Sequence, residues 1–425
     1  MRHHLGFLVL ALVAALGIAA TLVLPLSQPA PRTISLPVTR LLACPVGDPF
    51  MGKTTVSITD QTVFTAGELG ALPGDPTTTA TLDAPTKTVV VRGSATVGGV
   101  SVYTQDDASM AVPCSSPVTT GMWNGVSTTS GATLVMTNVD TTSAVVDVFV
   151  YGQSGPFPVP GLHDIPIAPG ATQALPIDPD LVISDTPVSV QIRASKGRVL
   201  ALMRVTGSTG LDWQLPETSS DTDLTIAGIP SGDGLRTLSV TNTDPMVKAT
   251  ISVEVMGDTG PFAPLGLETI EVPPARVVNV DLTQALGGQN SALHLTSTLP
   301  VSATVMVSSA DVAAISAQQA LNGTVLFPPL GGTLMVANPG TAAATLSLRY
   351  DDGTGVMSTT DTPVPAQSIM SIPFPSTGTS VKVSCDSADV RASLVLTAAG
   401  WSILPVTSGG IVTSVEVPRL APGLG

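Results

Sequence analysis

The chain has 425 residues, 43% of them hydrophobic and only 11% charged, with a net charge of −14. That acidic composition excludes a nucleic-acid binder that works by neutralising phosphate, so no nucleic-acid partner is expected. It also excludes a long helix laced with salt bridges and disfavours disorder, and at about 100–150 residues per domain the length fits three or four domains.

Leu5 to Leu24 is an apolar run without a charge. At about 1.5 Å per residue it is long enough to cross a bilayer as a helix. Arg2 precedes it, which favours a cytoplasmic tip and an exported bulk. The expectation is a single-pass plasma-membrane protein, with the membrane as partner of that N-terminal helix. The alternative is secretion after signal cleavage, although the Pro-rich stretch after Pro25 offers a poor cleavage site. Leu41-Leu42-Ala43-Cys44 looks like a lipobox but lies well beyond the apolar run.

Export makes cysteine pairing a question. Cys44, Cys114 and Cys385 are an odd number, so at least one stays free or pairs with another chain. Cys44 and Cys114 each stand beside a proline in similar connectors, and a disulfide between them would staple the first module. The other reading is three small buried residues. The spacing fits no zinc motif, and no metal or other cofactor is expected.

The rest of the chain is repetitive. One anchor recurs as TLVMTN at Thr133–Asn138, TLSVTN at Thr237–Asn242 and TLMVAN at Thr333–Asn338. Each is followed by a period-two segment: Ala144 to Val150, Ala249 to Val255, Ala343 to Leu348. Period two marks a half-buried strand. Gly155-Pro156-Phe157 and Gly260-Pro261-Phe262 follow in two copies, and the third has Gly353-Thr354-Gly355. Later in each copy two alternating segments read as a hairpin: Val188–Ala194 with Val199–Thr206, Ala292–Thr296 with Val301–Ser308, and Val381–Cys385 with Val390–Thr397. Thr88–Arg92 with Gly99–Thr104 resembles a fourth, so a shorter copy occupies the N-terminal region.

The fold expected is all-β: tandem immunoglobulin-like β-sandwich repeats after one transmembrane helix. The boundaries are 1–32 for tip, anchor and linker, 33–120 for a short divergent module, then repeats at 121–223, 224–323 and 324–425. The alternative is a closed, propeller-like ring, and the tail Ile411–Leu420 resembles a first strand that could return to the N-terminal copy. Asp311–Ala320 reads as a short helix or an extended strand end. Trp123, Trp213 and Trp401 all fall in the connectors between copies. They are either aromatic plugs closing each core or exposed platforms for stacking on sugars.

Chemistry is sparse. His163 and His294 are the two histidines beyond the anchor, and no nucleophile elbow, zincin helix or phosphate loop occurs. The acidic pairs Asp178 with Asp180, Asp221 with Asp223, and Asp351 with Asp352 lack the spacing of a full calcium loop and read as solvated turns.

Several stretches in order resemble a known family: Cys114 through Trp123-Asn124-Gly125, Leu134–Asn138, Gly155-Pro156 with Ile167–Gly170, Val190–Ala201, and Leu211-Asp212-Trp213. The combination resembles uncharacterised actinobacterial membrane or secreted proteins, recorded as a domain of unknown function. Asn124 stands where that family usually has Phe. The resemblance implies location and lineage and brings no site residues. The function expected is a non-enzymatic scaffold of the cell envelope, outside the cytoplasm, with an envelope protein as partner. The first alternative is binding of cell-wall glycan through Trp123, Trp213 and Trp401. The second is an uncharacterised envelope enzyme.

Overall fold

The computed structural model describes residues 33–35, 40–46, 53–407 and 414–416, apart from short stretches at 95, 106–107, 207–210, 258–259, 310, 322, 352–355, 388 and 398–399. The expected membrane helix lies outside the described residues. Among those described, no helix is long and apolar enough to cross a membrane. Two units are distinguished. In the smaller, Thr33–Ser35 pairs antiparallel with Ser414–Glu416. The larger, Thr39–Gly410, holds all the modules.

Repeat 1 shows the plan. One sheet orders Gly155–Phe157, Ala144–Gly152, Val188–Lys196 and Thr120–Val126, with Ile165–Ile167 also on Ala144–Gly152. The other orders Thr172–Ile177, Ala132–Thr137, Leu200–Thr206 and Leu211–Gln214. Alternate Val, Leu, Ile and Met residues from both sheets meet in one core, among them Leu134, Met136, Val146, Val148, Val190 and Ile192. This is a β-sandwich built on the period-two pattern. Repeat 3 repeats it with two four-stranded sheets.

The hairpins expected from sequence are not hairpins. Val188–Lys196 and Leu200–Thr206 lie in different sheets, and so do Val381–Cys385 and Arg391–Leu396. In repeat 2 the two segments fuse into one strand, Ser291–Ser308. Its first part pairs with Asp221–Ile229 and Ala249–Gly257, and its second with Leu235–Asn242 and Val312–Ser316. The first module has a strand of the same kind, Lys53–Glu68. Its start pairs with Gly98–Gln105 and its end with Val89–Gly93, which separates the fourth supposed hairpin as well. Both segments alternate, but each buries its apolar side from an opposite sheet, so the chain must cross the sandwich between them.

The repeated anchor Asn makes another crossing. Asn242 is fully buried, and its Nδ2 donates to the carbonyls of Val247, Val272 and Pro273. Its Oδ1 accepts from the Asp244 amide at 3.0 Å. Asn138 and Asn338 bond their own turns in the same way. Asn242→Ala would strand several buried carbonyls, so it should cost about 2–4 kcal/mol. An unchanged denaturation midpoint would contradict this role.

Within the larger unit the modules close on themselves. Thr120–Val126 of repeat 1 lies on Leu235–Asn242 and Ser291–Ser308 of repeat 2. Asp221–Ile229 of repeat 2 lies on Thr333–Asn338 and Arg391–Leu396 of repeat 3. Thr324–Phe327 of repeat 3 lies on Gly98–Gln105 and Lys53–Glu68 of the first module. The first module then meets repeat 1 through Tyr103, Met110 and Val112 against Leu200, Leu202 and Trp213. The result is a ring of four modules, whose unit is a two-sheet sandwich rather than a four-stranded blade.

Four connector strands face one another inside this ring: Ala108–Pro113, Leu211–Gln214, Val312–Ser316 and Ser402–Pro405, each in contact with two of the others. The Ala111 amide donates to Ser402 Oγ at 2.9 Å across 291 residues of sequence. Val312–Ser316 lies in the segment whose alanines suggested a helix. It is a strand because it must pair with the second part of Ser291–Ser308, and pairing overrides a helix preference of a few tenths of a kcal/mol per residue. Gly98 marks the closing seam: a Cβ there would overlap the Leu326 carbonyl oxygen.

Candidate functional site

Two of the three tryptophans are closed to solvent. Trp123 is 0% exposed, and its indole N–H donates to the Gln214 carbonyl at 3.0 Å. Trp213 is also buried, 6.2 Å from the Tyr103 ring, where the first module meets repeat 1. Trp401 is half-buried against the repeat 2 core, with its amide donating to Asp311 Oδ2 at 2.6 Å. A sugar stacks on an open ring face. Trp123 and Trp213 are buried and offer no such face.

Cys44 and Cys114 are joined by a disulfide with Cα atoms 4.2 Å apart. Cys44 sits in the buried strand Arg40–Cys44, so it is no lipid attachment site. Cys385 is free, and burial pushes its thiol up, away from a reactive thiolate.

The histidines and acidic pairs serve local structure. His163 Nδ1 lies 3.5 Å from Asp147 Oδ1, with its ring edge-on to Phe149. His294 Nε2 lies 3.1 Å from Asp223 Oδ1 and its Nδ1 lies 3.6 Å from Glu254 Oε2. Both ring nitrogens therefore face carboxylates across neighbouring strands, and neither is presented to a hydroxyl. Asp178 Oδ1 caps a turn by accepting from Asp180 and Leu181 amides, and Asp221 accepts from Thr222. Asp352 lies outside the described residues. No group of three or more His, Cys, Asp or Glu able to hold a metal occurs among the described residues.

A polar network missed by sequence reading joins repeats 1 and 2. Asn124 Nδ2 donates to Glu217 Oε1 and Ser302 Oγ, both at 2.8 Å, and Thr241 Oγ1 donates to Asn124 Oδ1 at 2.6 Å. The Ala303 amide donates to Glu217 Oε2, and Thr304 Oγ1 to Glu217 Oε1, each at 3.1 Å. Burial pushes the Glu217 carboxyl up to about 8. Nearby, burial pushes the Asp212 carboxyl well above the usual carboxylate range, although it accepts from the Trp213 and Ala314 amides. Asn124, in place of the usual Phe, was the one signal in the sequence that this seam is polar.

The remaining candidate is a groove of about 550 Å³ between the first module and repeat 1, half open to solvent. Glu68 and Asp140 line it, and both carboxylates are engaged. Glu68 Oε1 accepts from the Thr86 amide at 2.7 Å. Asp140 takes a bidentate pair of bonds from Arg198 at 2.8 and 3.0 Å. Those bonds, with the charges of Arg198 and Arg92, hold the Asp140 carboxyl below its usual value. Lys87 and Arg92 also line the groove, are exposed, and make no hydrogen bond or ion pair among the described residues. The arrangement can attract an anion, and no nucleophile with an adjacent base lines it.

The model of a family described as a family of unknown function matches residues 75–375. No curated protein matches. Among solved structures, the tetra-tandem repeat in the extending region of a large adhesion protein aligns with 84% of this chain and 90% of its own, at 10% identity and a TM-score of 0.11. A score that low says nothing of shared shape.

Proposed function

The chain belongs to DUF5719, a family of unknown function, and we propose that it is a non-enzymatic scaffold of the cell envelope that binds a protein partner outside the cytoplasm. The observation that carries this reading is where the polar and aromatic residues go. Trp123 fills the core of its own module, and Gln214, Asn124, Glu217 and Ser402 hold one module to another. A groove lined by charged residues faces solvent where the first module meets repeat 1. The Cys44–Cys114 disulfide supports an oxidising compartment. The uncharged run Leu5–Leu24 supports a single membrane span that tethers immunoglobulin-like sandwich modules to the plasma membrane. Affinity capture from detergent-solubilised envelope with the full chain should recover one stoichiometric protein. Recovery of none, together with turnover of an ester, peptide or glycoside substrate by the purified chain, would overturn the reading.

A further inference from the structure

We propose that the groove between the first module and repeat 1 binds an acidic peptide segment, whose carboxylates are met by Lys87 and Arg92. This deepens the scaffold reading and rests on it. The chain carries 17 Lys and Arg against 31 Asp and Glu, so its average surface repels anions. The groove departs from that average. Asp140 is neutralised by its bidentate pair with Arg198 and Glu68 accepts from the Thr86 amide, whereas Lys87 and Arg92 make no hydrogen bond or ion pair among the described residues, Arg92 acting on Asp140 only through its charge. An exposed guanidinium with no direct hydrogen bond suits bidentate pairing with a carboxylate, and the ammonium is a compact second charge. Between the charges the wall is apolar, with Leu69 and Pro73. That mixture fits a chain alternating acidic and apolar side chains.

Shape supports a segment of a larger molecule. The volume lies within the range of ligand pockets, and the groove is not enclosed, which leaves room for a segment whose chain continues beyond it. The lining contains no aromatic residue on which a sugar ring could stack, which favours a peptide over an anionic glycan.

The test titrates the full chain with a fluorescein-labelled peptide of alternating Glu and Leu, read by anisotropy. Its Lys–Leu counterpart and a labelled polygalacturonate are run beside it. Saturable binding of the acidic peptide alone is expected, weakening as salt rises. K87E/R92E should lower affinity about tenfold or more. K53E/K248E changes net charge equally at remote sites and should leave affinity unchanged. Both groove side chains are exposed, and an unchanged melting temperature verifies that K87E/R92E folds. Equal binding by wild type and K87E/R92E, equal losses in the two double variants, binding of polygalacturonate in place of the peptide, or no saturable binding would each overturn the proposal. Envelope capture with K87E/R92E separates the two readings: a partner retained by that variant leaves the scaffold standing without this groove.

Discussion

Trp123→Ala should destabilise the protein by about 3–5 kcal/mol, the range for deleting a fully buried aromatic side chain. Trp123 is the largest fully buried side chain in the described structure and packs in the repeat 1 core beside Val126, Val188 and Val190. Its indole N–H is also the donor for the Gln214 carbonyl. Truncation therefore opens a cavity and leaves that acceptor unpaired. Trp123→Phe keeps most of the volume and should lose less than half as much. Denaturant midpoints for the two variants check the order. A ligand platform on the surface would behave in the opposite way, with stability unchanged and glycan affinity lost.

The second large effect is on pH dependence. Glu217 has an ordinary value of 4.5 and is pushed up to about 8 by burial. Between those values the folded chain keeps a proton that the unfolded chain has released. Stability therefore falls as pH rises from about 4.5 to about 8, at up to about 1.4 kcal/mol per pH unit, and is level above that. Asp212 is raised for the same reason and adds to the fall in the same direction. Glu217→Gln retains the side chain's shape and its acceptor for Asn124 and Thr304 and has no charge to bury, but its amide nitrogen replaces the oxygen that accepts from the Ala303 amide. Relative to wild type, the variant should lose most of the fall in stability between pH 4.5 and pH 8, on top of a pH-independent cost at the Ala303 contact. Parallel pH profiles for the two proteins would show that Glu217 is not a buried acid at this seam.

Much of the strand content was readable. Alternation located Ala144–Gly152 and its counterparts, and the anchor Asn residues stood out before their bonding to the turns was known. Pairing was not readable. Val188–Ala194 and Val199–Thr206 have the length, alternation and short connection of a hairpin, and nothing local says that they belong to opposite sheets. Asp311–Ala320 reads as a short helix or an extended strand end, and a partner strand decides for the strand over Val312–Ser316. The positions of the tryptophans in connectors were visible. That Leu211–Gln214, which carries Trp213, and Ser402–Pro405, which follows Trp401, line the inside of a ring depends on contacts such as Ala111 with Ser402. The candidate groove was hidden for a related reason: Lys87, Arg92 and Asp140 are scattered singly along the sequence and converge only at the meeting of two modules.

Closure of the ring is the claim on which the rest depends, and Gly98 tests it most directly. Gly98→Val would drive side-chain atoms into the Leu326 backbone, so it should pry the first module from repeat 3. Hydrogen–deuterium exchange on the full chain reads this at strands Thr324–Phe327 and Ser402–Pro405, more than 200 residues away in sequence. A closed ring predicts faster exchange at both, with Asp221–Ile229 and Leu235–Asn242 in repeat 2 still protected. Unchanged exchange at Thr324–Phe327 and Ser402–Pro405 would mean that the first module and repeat 3 do not touch, and would contradict the ring.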